Sequence, residues 1–261
     1  MRITILTAAR NASEVIRGCL KSAEEQELPR EVRVEHLVLD GASTDGTAEL
    51  LEEWASGEAG PAAERRFWSQ ADGGFYQALN QGWERATGDV VGLLNADDRF
   101  YDRHVLARVA ESMSGSADGC YGDLVYESAS GKVERYWRSG SYAPASFRWG
   151  WMPPHPTVYV RREIYDKFGG FRTDLGSAAD YEWMLRMMAR HRIRMNYIPR
   201  IQVAMRTGGM SNRSLEARLK ANASDRKAWE INGLHPLPWT FLAKPLRKIP
   251  QWLARGGKVK S

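Results

Sequence analysis

Three features of the sequence predict an α/β fold with a mostly parallel sheet flanked by helices. Strand-like and helix-like periods alternate over roughly the first hundred residues. Short apolar runs end in polar, glycine-bearing turns, the punctuation of strand-to-helix connections. The length of 261 residues, with 43% hydrophobic and 26% charged content, suits one large globular domain with an appended segment.

The elements follow in order. Ile3 to Thr7 reads as a strand, Ser13 to Glu25 as a helix, Val34 to Leu39 as a strand, and Thr47 to Trp54 as a helix with Leu50, Leu51 and Trp54 on one face. A short strand at Phe67 to Ser69 precedes a helix from Phe75 to Ala86, where Phe75, Leu79 and Trp83 recur every fourth residue. Gly88 punctuates that helix, and Val90 to Leu94 follows as a buried strand. Asp102 to Met113 reads as a helix, and Cys120 to Ser128 with Lys132 to Trp137 as two strands joined through Ser130-Gly131. The Gly-, Pro- and aromatic-rich stretch from Ser139 to Pro156 reads as a loop. A strand at Thr157 to Val160, a helix near Ser177 to Arg190, and strands at Arg194 to Ile198 and Ile201 to Met205 complete the body. The expected division is a catalytic domain over 1–212 and a basic, aromatic C-terminal helical extension over 213–261.

Composition removes several classes. Cys19 and Cys120 are too few for a disulfide framework and lack the neighbours of a structural zinc site, so both read as small buried apolar residues. No run reaches the roughly 18 apolar residues that span a bilayer. The strand-like Arg2 to Thr7 has no signal-peptide pattern ahead of it, and the expected location is cytoplasmic. The net charge of +5 gathers near the C-terminus and not on a nucleic-acid-binding motif, so no nucleic-acid partner is expected.

In an open parallel sheet, ligands bind beyond the carboxyl ends of the strands. Four polar clusters occupy such positions: Ala8 to Asn11, Asp40 to Thr47, Asp72 to Gly74, and Asn95 to Asp98. Asp97 and Asp98 directly after an apolar strand repel each other unless solvent screens them or a cation sits between them. A divalent ion held by these carboxylates, with substrate phosphates and water, resolves that conflict. The competing role is to cap the helix near Asp102. Asp40, at the end of Leu37-Val38-Leu39, can accept hydrogen bonds from a nucleobase or ribose; the competing reading makes it a turn residue with Thr44 or Asp45 as a helix cap, which explains Asp40 less well. A dinucleotide fingerprint is absent after the first strand.

Taken together, Thr7-Ala8-Ala9-Arg10-Asn11, Asp40-Gly41-Ala42-Ser43-Thr44-Asp45-Gly46-Thr47, Asp72-Gly73-Gly74 through Gly82, Ala86-Thr87-Gly88-Asp89 and Leu94-Asn95-Ala96-Asp97-Asp98 resemble, in order, the motifs of the family 2 glycosyltransferases. These are inverting nucleotide-sugar enzymes of the GT-A (Rossmann-like) fold. The resemblance extends to about Ser211. It implies a donor nucleotide site at Thr7, Ala9, Arg10, Asn11, Asp40, Asp72, Asn95 and Asp97. Asp97 and Asp98 would hold Mg²⁺ or Mn²⁺ on the donor diphosphate. It further implies a saccharide or lipid-linked acceptor and, for a short member, a setting in polysaccharide or glycolipid assembly. Gln77 and Gln81 depart from the family, which often has Asp and Lys there; Arg10 or Arg206 would then meet the phosphate.

Asp180, in Ser177-Ala178-Ala179-Asp180, resembles the family's general base, while Ser177-x-x-Asp180 is equally a capping box. The resemblance also implies contacts to acceptor or phosphate at His155, Arg206 and Ser211, with Gly208, Gly209 and Ser211 as a lid, whereas His155 reads equally as a loop histidine packed among prolines. Trp149 and Trp151 are read either as sugar-stacking faces or as core residues. The extension has no Asp or Glu from Ile231 to Ser261, and interleaves six cations with apolar residues. It is therefore expected either to lie on an anionic membrane or to pack on the domain with its cations solvated.

Overall fold

The computed structural model describes residues 1–57, 63–207, 215–247 and 251, with the backbone alone for 215–222. The alternating periods become β1 (Arg2–Ala9), α1 (Ile16–Glu24), β2 (Arg33–Asp40), α2 (Thr47–Ser56), β3 (Ala63–Ser69), α3 (Phe75–Arg85) and β4 (Val90–Leu93). The second half contributes β5 (Arg99–Phe100), α4 (Val105–Ser112), β6 (Gly119–Glu127), β7 (Val133–Trp137), β8 (Tyr159–Arg161), α5 (Arg162–Phe168), α6 (Ala179–Met184) and β9 (Met195–Arg206). Two helices follow, α7 (Leu215–Ile231) and α8 (Thr240–Leu246).

Among the described residues these strands form one sheet in the order β3-β2-β1-β4-β8-β6-β9-β5, with β7 paired to β6. The first four strands in space are parallel, and β8 then runs antiparallel to both β4 and β6. At that junction Gly92 pairs with Tyr159, and a Cβ on Gly92 would lie 2.2 Å from the Tyr159 ring. Only glycine fits there, so this one residue lets the antiparallel β8 join the parallel strands. Apolar clusters cover both faces: Leu37, Leu79 and Trp83 belong to one, Ile3, Val90 and Val109 to another. Both faces of the parallel strands are thus buried, which explains their near-continuous apolar runs.

The structure corrects the sequence reading in three places. The two strands expected at Arg194–Ile198 and Ile201–Met205 are one strand, β9. Tyr121 pairs with Tyr197 and Asp123 with Ile201, so the bulge around Pro199 absorbs the residue that cannot donate to the ladder. The helix expected over Ser177 to Arg190 is a 3₁₀ stretch (Thr173–Ala178), the short α6, and a π-helical turn (Leu185–Arg190). Helix α5 was not anticipated: only Ile164 of its seven residues is buried, so it shows no periodicity, although Tyr165 stacks on Trp83 with ring centroids 4.0 Å apart.

The described part of the extension shares the domain's main core through Ala228, Trp229 and Phe241. Trp229 is buried, and its indole N–H donates to the Tyr181 hydroxyl at 2.9 Å. No helix among the described residues is long and apolar enough to cross a membrane.

Candidate active site

Parallel register brings the four polar clusters to one sheet edge. Ala9 pairs with Asp40, Asp40 with Ser69, and Leu94 N–H continues the ladder to the Leu6 carbonyl at 3.0 Å. The loops after β1 and β2 are tied to each other. Asn11 N–H donates to Ser43 Oγ at 2.8 Å, Thr44 N–H donates to Asn11 Oδ1 at 2.9 Å, and Gly41 N–H donates to the Ala9 carbonyl at 2.8 Å. Asn11 and Ala42 both adopt left-handed backbone, with φ of 50° and 54°. Asn tolerates that region whereas Ala is strained in it, and such strain clusters at functional loops.

Asp40 is buried. It accepts hydrogen bonds from the Ser43 hydroxyl, from Ser43 N–H at 3.1 Å and from the Ser69 hydroxyl at 2.6 Å. An ionised carboxylate offers roughly four acceptor positions, so one is left for a ligand donor. Asp72 is half-buried, accepts Gly74 N–H at 2.8 Å, and has an oxygen 3.0 Å from where a Cβ on Gly41 would stand. Gly41 therefore lets the two strand exits meet, with the aliphatic part of exposed Arg10 beside it. Thr7 is fully buried: its hydroxyl donates to the Leu94 carbonyl at 2.7 Å and lies 3.0 Å from His36 Nε2. It builds the floor beneath the edge. Asp45 accepts bonds from Ser13 and Thr47 and so ties the loop after β1 to the start of α2, but the N-cap of that helix is Gly46, not Thr44 or Asp45 as the sequence suggested.

After β4, Asn95 and Asp98 close a tight turn. Asp98 N–H donates to the Asn95 carbonyl at 3.0 Å, and Asn95 Nδ2 donates to Asp98 Oδ2 at 2.7 Å. At the end of β9, Arg206 N–H reaches Asp98 Oδ1 at 3.3 Å. Asp98 is buried and Asp97 exposed. Burial, followed by the charge of Asp97, pushes the Asp98 carboxyl up to about 7, against the lowering by Asn95, His155 and the Arg206 amide. Neither aspartate caps α4; Asp102 accepts His104 N–H at 2.8 Å at that helix start instead.

The like-charge conflict at Asp97 and Asp98 tests the fit of a divalent ion. Two hard oxygen donors at a strand exit suit Mg²⁺ or Mn²⁺, and a cation there removes the repulsion that raises Asp98. No group of three or more His, Cys, Asp or Glu among the described residues forms a complete metal cage. The remaining coordination positions would fall to phosphate and water, the usual arrangement for Mg²⁺ at a nucleotide.

Asp180 stands in the first turn of α6 with its side chain 15% exposed. The capping box does not form: residue 178 is the N-cap, without a side-chain bond. Asp180 Oδ1 instead accepts Tyr181 N–H at 2.7 Å, and Oδ2 lies 3.0 Å from His155 Nδ1. Burial opposes its charge, but the His155 hydrogen bond and charge, the Lys244 ammonium and the Tyr181 amide together hold the carboxyl below the usual range. It is thus ionised at neutral pH. The Tyr76 phenol is pushed up by burial and then by the Asp180 charge, which sets it beside this carboxylate. His155 Nε2 is buried without a hydrogen-bond partner in the structure. His155 lies on a 3₁₀ turn (His155–Thr157) that packs against β4, α6 and β9, which brings the strand running into Asn95 and the helix carrying Asp180 to one turn.

The structure thus brings Arg10, Asn11, Asp40 and Asp72 to one part of the edge, and Asn95, Asp97, Asp98, His155, Asp180 and Arg206 to another. Ser211, with the Gly208-Gly209 lid, lies outside the described residues. Trp151 is a core residue, buried with its N–H on the Ser139 carbonyl at 2.7 Å, whereas Trp149 is exposed. Gln81 is tied to Gln70 at 2.6 Å. Sequence reasoning missed Tyr76 and Lys244. Tyr76 sits inside the Asp72-to-Gly82 motif and was open to notice, but nothing local marks Lys244.

This fold and edge define a glycosyltransferase of the GT-A type. Residues 4–193 match the model of Glycosyl transferase family 2, and the chain belongs to that family. It is similar to an uncharacterized glycosyltransferase of Mycobacterium tuberculosis, 28% identical over 200 residues that cover 70% of this chain and 68% of the relative. A PGL/p-HBAD biosynthesis glycosyltransferase of Mycobacterium bovis is 25% identical over 223 residues, covering 80% of this chain and 78% of its own. Among solved structures, the mannosyltransferase PcManGT of Pyrobaculum calidifontis, in complex with GDP-Man and Mn²⁺, superposes with a TM-score of 0.66. Its identity is 20%, over 97% of this chain and 73% of that one.

Proposed function

We propose that this enzyme is an inverting glycosyltransferase. It moves a sugar from a nucleoside-diphosphate donor to the hydroxyl of a saccharide or lipid-linked acceptor, in polysaccharide or glycolipid assembly at the cytoplasmic face of the membrane. The observation that carries this reading is the 3₁₀ turn at His155, which packs against both β4 and α6 and holds His155 Nδ1 3.0 Å from Asp180 Oδ2. The GDP-Man and Mn²⁺ held by the structural neighbour support a nucleotide-sugar donor and a divalent ion.

In this reading the remaining acceptor position on Asp40 reads the nucleobase, and Asp72 and Asn95 lie along base and ribose. Thr7 and Ala9 floor the site, Asn11 fixes the loop, and Arg10, Arg206 and Ser211 meet the phosphates. Asp97 and Asp98 would hold Mg²⁺ or Mn²⁺. When bound, the ion supplies Lewis-acid stabilisation of the charge that grows on the departing diphosphate. Asp180 takes the acceptor hydroxyl proton as that oxygen bonds to the anomeric carbon, opposite the breaking carbon–oxygen bond of the leaving nucleoside diphosphate. The Nδ1–H of His155 holds Asp180 Oδ2 in place, and Tyr76 supports the same carboxylate.

A panel of UDP-, GDP- and dTDP-sugars, with and without Mn²⁺, tests the donor site. One donor should stabilise the protein only with metal, by about 2.7 kcal/mol at a hundredfold excess over Kd. Asp98→Ala should abolish that effect; donor stabilisation unchanged in the variant would overturn the assignment.

A further inference from the structure

Helix α8 leaves more apolar surface in solvent than a helix that serves only to cover the domain would. Thr240, 1% exposed, donates to the Arg148 carbonyl at 2.7 Å. One turn on, the Lys244 ammonium pairs with Asp225 at 2.6 Å and lies 3.9 Å from the centre of the Tyr181 ring. Thr240 and Lys244 therefore face inward, beside Phe241, which packs on the main core. Trp239, Leu242 and Leu246, spaced three and four residues apart on one stripe, are 43%, 69% and 61% exposed. Trp149, 52% exposed on the adjoining 3₁₀ turn (Ser146–Trp149), extends the stripe, its ring centroid 5.7 Å from that of Trp239. Of the five large apolar side chains left exposed among the described residues, these are four; Phe75, at the start of α3, is the other.

Charge selects what covers this face. Arg148 and Arg247 are exposed beside it. No Asp or Glu occurs from Ile231 to the end, while Lys248, Arg255, Lys258 and Lys260 follow α8 in sequence. Two such faces packed together would oppose like charges, whereas an anionic surface complements them. Apolar side chains entering the acyl boundary with cations at the headgroups is the pattern of an interfacial element.

We propose that Trp149, Trp239, Leu242 and Leu246 form a docking face for an anionic lipid bilayer. This deepens the proposed function and rests on it for the acceptor. Through Lys244 and Tyr181 the face is joined to the turn that carries Asp180. A bilayer held there presents a lipid-linked hydroxyl to the carboxylate that would accept its proton.

The test is flotation with phosphatidylcholine vesicles, with and without phosphatidylglycerol, comparing the full chain with the triple variant Trp239→Gln, Leu242→Gln, Leu246→Gln. All three side chains are exposed, and binding of UDP and GDP with Mn²⁺ checks that the variant keeps its fold. The full chain should bind the anionic vesicles and the variant at least about tenfold less, with unchanged nucleotide binding. Equal vesicle binding by both proteins, or equal binding by the full chain to vesicles lacking phosphatidylglycerol, would overturn the proposal. So would a full-chain dimer that the variant makes monomeric, which assigns the face to a second copy. Failure of both proteins to bind either nucleotide would count against the donor reading and leave the vesicle result standing.

Discussion

Replacing Asp180 by Asn separates a base from a structural carboxylate. The side chain makes two contacts of defined length, Tyr181 N–H to Oδ1 at 2.7 Å and His155 Nδ1 at 3.0 Å from Oδ2. Asn keeps an acceptor oxygen for Tyr181 and loses the charge-assisted bond to His155. A hydrogen bond to a charged group contributes about 1.5–3 kcal/mol, which bounds the stability loss. Removal of a positioned base costs about 10²–10⁴ in rate. At 1.36 kcal/mol per decade that is about 2.7–5.4 kcal/mol of barrier. The assay is single-turnover sugar transfer at saturating donor, beside urea unfolding and nucleotide binding on the same protein. The reasoning predicts a folded, donor-binding protein slowed at least about a hundredfold. A folded variant that transfers sugar within about threefold of the parent rate, far inside that range, would refute it.

Two further outcomes concern the fold that holds the site. Burial, then the Arg65 charge, lowers the pKa of His36 to about 3, so the folded protein keeps it neutral. Above about pH 6.5 neither state holds that proton. As pH falls below this value the unfolded state takes it up alone, and stability drops by about 1.4 kcal/mol per pH unit until the folded pKa is approached. His36→Gln should remove that increment from the pH dependence of the urea midpoint, and an unchanged slope would contradict the account. Trp229→Ala empties a buried site under Tyr181 and should destabilise the whole domain by about 3–5 kcal/mol. A single unfolding transition at the parent midpoint would show instead that α7 does not share the core.

The strand-exit clusters were legible because period and punctuation coincide: Leu37-Val38-Leu39 runs straight into Asp40-Gly41, and Val90 to Leu94 into Asn95. Once those strands are parallel, their polar ends must share one edge. What sequence left open was decided by contacts distant along the chain. Whether Asp180 caps its helix or faces the site depends on His155, 25 positions earlier, and no local pattern encodes that pairing. Lys244 acts on Asp180 from the extension, where the sequence shows only one cation among several. Pro199 made one strand read as two, because a bulge accommodates the residue that a regular ladder rejects. The antiparallel junction at Gly92 and Tyr159 was likewise invisible, since only the packed sheet shows which ring needs the missing Cβ.

In the proposed direct displacement at the anomeric carbon, Asp180 receives the acceptor proton. Proton NMR of the first-formed product, made from a donor of known anomeric configuration, tests it most directly. A single displacement gives a glycosidic bond of the opposite configuration from the donor; a product that retains the donor's configuration would rule it out.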